Sequence, residues 1–128
     1  KLNNTTKDEI IRAGMESIGF FVHDIMQTLK KDGFEITSIQ SAGGGARKPL
    51  LQFMANLLDI PVKRSKLKDK TALGVFRLLF RNQFGEFPEI THSFQENFVP
   101  KMTADQRKAK LDNWEKALIV AGVKTGQN

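Results

Sequence analysis

Three consecutive glycines, Gly43-Gly44-Gly45, constrain this chain more than any other feature. They lie inside Ser41-Ala42-Gly43-Gly44-Gly45-Ala46-Arg47-Lys48-Pro49. Before them, Glu35 to Ser41 alternates with β-branched residues and reads as a strand. After them, Pro49 opens an apolar-periodic run, Leu50-Leu51-Gln52-Phe53-Met54-Ala55-Asn56-Leu57-Leu58, which reads as a helix over 49–58. Glycines let a backbone approach a ligand closely, and a helix start offers free N–H groups with a positive dipole end. The loop is not a Walker A sequence, since no Gly-Lys-Ser/Thr follows at the required spacing. It also lacks the third glycine of the dinucleotide fingerprint. On these residues alone a nucleotide cradle and a ligand-free strand-to-helix turn both remain open.

Charge adds to the first of these readings. The net charge of +6 is unevenly placed: residues 1–42 carry five basic and six acidic side chains, residues 84–128 carry six of each, and residues 43–83 carry nine basic against two acidic. Arg47, Lys48, Lys63, Arg64, Lys66, Lys68 and Lys70 could therefore surround an anion, or form a solvated basic edge. With 128 residues the chain is read as a single domain, 1–128, small for a complete metabolic enzyme. It has no cysteine, which rules out disulfides, thiol catalysis and cysteine-based metal sites. No apolar run reaches the length of a membrane span and no signal-peptide pattern opens the chain, so a cytoplasmic location and no membrane partner are expected. The first residues, Lys1-Leu2-Asn3-Asn4, include no Met and suggest a cut-out of something longer.

The remaining elements follow from caps and periodicity. Thr6-Lys7-Asp8-Glu9 is a capping box opening a helix with Ile11, Met15, Ile18, Val22, Ile25 and Leu29 as one long buried stripe. Lys30-Lys31-Asp32-Gly33 closes it. Val62 to Arg64 reads as a short strand, and Ala72 to Asn82 as a helix capped by Thr71 or by Asp69, the latter of which could instead orient the glycine loop. Residues 83–102 show no period and read as a partly packed loop holding Phe84, Phe87, Phe94 and Phe98. Thr103-Ala104-Asp105-Gln106 is a second capping box, starting a helix to about Ala121 around a core Trp114; residues 122–128 are expected to be a disordered tail.

Little else in the chain suggests chemistry. His23 and Asp24 are neighbours on a helix, expected to point to different faces and to make a poor dyad. His92 has no nucleophile pattern nearby, and two histidines so far apart suggest no zinc site, so no metal-binding residue is assigned.

The order of these pieces resembles the C-terminal part of the FGGY carbohydrate kinases, within the actin-like ATPase superfamily, and most of all their glycerol-kinase branch. Glu9-Ile10-Ile11-Arg12-Ala13-Gly14-Met15-Glu16 resembles half of a family signature, with Gly14 where Ala, Val or Ser is usual. Gly43 to Val62 is similar to the adenosine-side loop and its helix. Thr71-Ala72-Leu73-Gly74 matches a family helix start, although Val75-Phe76-Arg77 replaces the small residues that usually follow. Phe98-Val99-Pro100-Lys101-Met102, with Arg107, Trp114, Lys116 and Ala117, is similar to the closing helix of glycerol kinases. The resemblance implies an α/β fold, part of a ribonuclease H-like, actin-like ATPase domain, helix-rich with a few short strands. It implies ATP or ADP as cofactor, with Mg²⁺ held mainly by the nucleotide and by parts outside this chain. Gly43, Gly44 and Gly45 would pass under the α-phosphate and ribose. Arg47 would lie beside adenine or ribose, and Lys48, where relatives have Asn or Ser, would meet phosphate. The family's sugar site and catalytic Asp precede the shared region, so no catalytic residue is assigned here and the chain is expected to be inactive alone. The implied partners are nucleotide, a sugar or polyol, the N-terminal kinase part and, through an uncovered sheet edge, a second copy. Two alternatives stand beside this reading: a basic α/β domain binding nucleic acid through residues 47–81, and a degenerate kinase half kept as an interaction module. Against nucleic acid, Phe76 and Phe80 are read as core residues.

Overall fold

A computed structural model describes residues 4–65, 70–89 and 95–124. The chain runs through α1 (Lys7–Lys31), β1 (Ile39–Ser41), α2 (Lys48–Leu58), β2 (Val62–Ser65), α3 (Lys70–Phe84), β3 (Gln95–Phe98) and α4 (Ala104–Val120). The expected helix-rich α/β architecture is present.

Both capping boxes form. Thr6 N–H donates to Glu9 Oε2 at 2.7 Å while Glu9 N–H donates to Thr6 Oγ1 at 3.2 Å. Thr103 and Gln106 repeat the exchange at 3.0 and 3.3 Å. Gly33 ends α1 at φ +89°, a conformation an L-residue adopts only at a cost, with its N–H on the Lys30 carbonyl.

Helix α2 is apolar nearly all round, and a helix of that kind must be enclosed. It is: Leu50, Leu51, Phe53, Met54, Ala55, Leu57 and Leu58 are all buried. One side meets α1 through Met26, Met15 and Val22, and the sheet through Val62, Ile39 and Phe98. Another side packs Phe53 and Leu57 against Phe20 of α1 and Leu111 and Trp114 of α4. Trp114 lies flat on Phe20 with centroids 4.9 Å apart, and Phe20 meets Phe53 edge-on at 5.5 Å. Each fully buried aliphatic side chain here, such as Leu51, contributes about 1.5–3 kcal/mol relative to exposure.

The sheet has three strands in the order β1-β2-β3. β1 and β2 are parallel, which requires the α2 crossover between them, and β2 pairs antiparallel with β3. The registers align three rows: Ile39, Val62 and Phe98; Gln40, Lys63 and Asn97; Ser41, Arg64 and Glu96.

Several expectations are corrected. Only residues 39–41 of the anticipated strand 35–41 join the sheet, because among the described residues β2 faces only these three. β3 occupies residues expected to be a loop; Gln95-Glu96-Asn97-Phe98 has little intrinsic strand preference and is held by pairing with β2. Helix α3 begins at Lys70, so Thr71 lies in its first turn and not at its cap, while Asp69 lies outside the described residues. The apolar stripe of α1 is only partly inward: Met15 and Val22 pack on the core, whereas Ile11, Ile18 and Ile25 are about half or more exposed. The α1 residues packed most deeply are Gly19, Phe20 and Met26, offset around the helix from that stripe. Phe76 and Phe80 are not core residues; with Phe84 they stack along α3 itself at 5.9 and 4.5 Å. Past α4, Gly122, Val123 and Lys124 donate backbone hydrogen bonds to the carbonyls of Ile119 and Leu118; residues 125–128, like Phe94 and His92, lie outside the described residues.

Candidate nucleotide-binding loop

All five residues assigned to the candidate site, Gly43, Gly44, Gly45, Arg47 and Lys48, fall on the one connection that leaves β1 and enters α2. It emerges at the carboxyl end of a parallel strand, where open α/β sheets place their ligands. Gly43 has φ +91°, so the turn itself calls for glycine there. Gly44 and Gly45 have no such requirement, and a Cβ on any of the three glycines would meet nothing within 4 Å. The backbone is thus open to an approaching molecule, and its shape accounts for only the first glycine.

The loop closes by short local bonds: Ala46 N–H to Gly43 carbonyl at 3.1 Å and Arg47 N–H to Gly45 carbonyl at 2.8 Å. Arg47 is the N-cap of α2 in extended conformation, without a side-chain cap bond, so its exposed guanidinium is not spent on the helix. Pro49 sits in the first turn, where its missing N–H costs no helical bond. The basic block is split by the fold. Arg47, Lys48 and Arg64 gather at this end of the sheet, with Lys63 one register row further along it, and Lys66 and Lys68 lie outside the described residues. Arg64 Nη1 donates to the Ala46 carbonyl at 3.0 Å, and its Nη2 pairs with Glu96 Oε2. Glu96 Oε1 meets Lys48 Nζ at 3.2 Å. The Lys48 hydrogen bond, joined by that of Arg64, holds the Glu96 carboxyl below its ordinary range. Sequence reasoning missed Glu96 because its strand carried no strand signal.

Elsewhere the anticipated chemistry is structural. A groove of about 460 Å³ between α1 and α4 is lined by His23, Asp24, Gln27 and Trp114 among others. The adjacent His23 and Asp24 do reach one another, Nδ1 to Oδ1 at 3.4 Å, contrary to expectation. Asp24 Oδ2 accepts the Trp114 indole N–H at 3.1 Å and so ties α1 to α4, while His23 Nε2 lies 3.2 Å from Gln27 on its own helix. Among the described residues no group of three His, Asp or Glu side chains could hold a metal ion, and no helix is long and apolar enough to cross a membrane.

Known proteins share this fold. The profile of the FGGY family of carbohydrate kinases, C-terminal domain, matches residues 2–82. The glycerol kinase of Oleidesulfovibrio alaskensis is 38% identical over 120 residues, covering 89% of this chain and 24% of that enzyme. That of Borreliella burgdorferi is 39% identical over 121 residues, with 89% and 24% covered. The crystal structure of Plasmodium falciparum glycerol kinase with ADP superposes with a TM-score of 0.69 at 26% identity, covering 98% of this chain and 26% of that one. The ligand-bound xylulose kinase of Lactobacillus acidophilus, 19% identical, shares the fold with a TM-score of 0.67, covering 94% of this chain and 26% of its own. The chain spans about a quarter of the length of the curated relatives it matches. Its fold is that part of the actin-like ATPase architecture that these kinases share. A profile match over more than half of the residues, with glycerol kinases aligned along nearly all of them, means that the chain belongs to the FGGY family of carbohydrate kinases, in their C-terminal domain.

Proposed function

We propose that this chain is the adenine-nucleotide-binding portion of an ATP-dependent polyol or sugar kinase of the glycerol-kinase type. One observation carries the reading: three glycines at the carboxyl end of a parallel strand, two of them not required by their own backbone, open onto free space. A relative of the same fold was crystallised with ADP. Gly43 to Gly45 would lie under the α-phosphate and ribose, where any side chain would block approach. Arg47, on the rim, offers a guanidinium plane that can stack on a base. Lys48 offers an ammonium to phosphate. Bound nucleotide with Mg²⁺ supplies the phosphoryl group; this chain's residues bind and orient it, while the sugar site and the catalytic carboxylate belong to the remaining part of such a kinase. Phosphoryl transfer needs both substrates positioned together, so the chain alone is proposed to be inactive.

A domain replacement tests this. The matched quarter of the Oleidesulfovibrio alaskensis glycerol kinase is exchanged for this chain, and glycerol-dependent ADP formation is followed. Activity in the hybrid and none in the chain alone is the expected outcome. Activity in the isolated chain, or a folded hybrid that binds glycerol yet no nucleotide, would contradict the proposal.

A further inference from the structure

From the Arg64–Glu96–Lys48 network we infer that Glu96 is a positioning residue for the glycine loop: one carboxylate that holds Lys48, the first residue of α2, directly and, through Arg64, the Ala46 carbonyl just after the glycines. This rests on the nucleotide-binding reading and names what keeps that site in shape.

The geometry is specific. Ser41, Arg64 and Glu96 face one another across the three strands, so Arg64 and Glu96 form a directly opposed cross-strand pair at the end of the sheet. The two guanidinium nitrogens divide their work: Nη1 takes the Ala46 carbonyl at 3.0 Å, immediately after the glycines, and Nη2 takes Glu96 Oε2. The other carboxylate oxygen, Oε1, lies 3.2 Å from Lys48 Nζ. Glu96 and Arg64 are both half-buried, so neither is an ion pair loose in water. A run of three glycines loses more backbone entropy on ordering than any other tripeptide. Ala46 is buried, with its carbonyl held by Arg64, so the loop is anchored at the end nearer the helix. The planar fork of Arg64 links Glu96 to that carbonyl, which a lysine could not do at both points.

A second role for the carboxylate would have the opposite consequence. If Glu96 only neutralised Lys48, it would compete with phosphate, and removing its charge would tighten nucleotide binding. Positioning predicts weaker binding although the site gains positive charge.

The test uses the 128-residue chain with Glu96→Gln and Arg64→Lys, the second leaving net charge unchanged. Mg-ADP affinity is measured by calorimetry, and amide exchange and chemical shifts of Gly43 to Arg47 are followed without nucleotide. Trp114 fluorescence, reporting on α4, checks that each variant is folded. Both variants are expected to raise Kd for Mg-ADP about three- to tenfold, the loss of one net hydrogen bond, and to speed exchange at the loop amides. Tighter binding by Glu96→Gln, or unchanged loop amides in both folded variants, would overturn the inference. Wild-type protein that binds no Mg-ADP, while its loop amides still respond to Glu96→Gln, would overturn the nucleotide reading and leave the tether standing.

Discussion

Glycines stand in this chain for different reasons, and some stand for none the structure shows. Gly19 lets α1 approach α2: a Cβ there would stand 2.7 Å from two carbons of the Phe53 ring. Gly19→Ala is therefore expected to destabilise the chain by about 1–3 kcal/mol through forced repacking, measured by urea denaturation. Gly14, on an exposed turn of the same helix, has nothing within 4 Å of a Cβ. Gly14→Ala should stabilise by about 0.5–1 kcal/mol from helix propensity alone, read from the same denaturation curves. Gly44 has neither a positive φ nor a neighbour to clash with, yet it is glycine. Gly44→Ala is expected to change stability by less than about 0.5 kcal/mol while weakening Mg-ADP binding, and equal affinity in the two proteins would argue against the cradle. The glycine run is legible as a candidate site in the sequence, but which glycine serves the fold and which the ligand is not. That distinction depends on φ and on surrounding space, and neither is written in a Gly-Gly-Gly string.

Among the elements, those with their own punctuation were readable and those stabilised by partners were not. Capping boxes place α1 and α4 because Thr6 and Thr103 satisfy orphan N–H groups locally. Helix α2 declares itself by an apolar run too dense to be exposed. β3 carries no such mark, since Glu96 and Asn97 belong to the sheet only through their ladder with β2. Nor could periodicity choose the inward face of α1. Its regular stripe of Ile11, Ile18 and Ile25 competes with Phe20 and Met26; Phe53 and Trp114 pack on Phe20, and the rest of the α2 core takes Met26. The tie between α1 and α4 is also electrostatic. Burial works against ionisation of Glu16, but hydrogen bonds from Lys110 and Arg12, each at 2.9 Å, outweigh it and lower its pKa below 4.5. With a folded pKa below the unfolded one, this contribution is fully present above the ordinary carboxylate value and is lost as pH falls through the lowered value. Glu16→Gln should therefore flatten the fall in stability below about pH 4.5 relative to wild type, as followed by acid titration of the far-UV signal; an unchanged acid profile would contradict the tie.

At the scale of the molecule, the apolar side chains divide between packed clusters around α2 and an exposed face of α3. The α1–α2–α4 packing and the sheet enclose two apolar clusters on different sides of α2, whereas Val75, Phe76, Leu78, Leu79 and Phe84 on α3 are all at least half exposed. A contiguous apolar helix face of this kind is unusual on a soluble surface. Arg77 and Arg81 lie over the Phe87 ring at 5.2 and 4.9 Å beside it. Nucleotide binding at the glycine loop can be tested on this chain directly. We would titrate isotope-labelled protein with Mg-ADP and follow its backbone amide resonances, with Arg47→Ala alongside. A nucleotide cradle at this loop gives saturable shifts confined to Gly43 to Lys48 and their neighbours on β2 and β3, lost in the variant. A folded protein whose loop amides stay still up to millimolar nucleotide, or whose shifts fall in the α1–α4 groove, would contradict it.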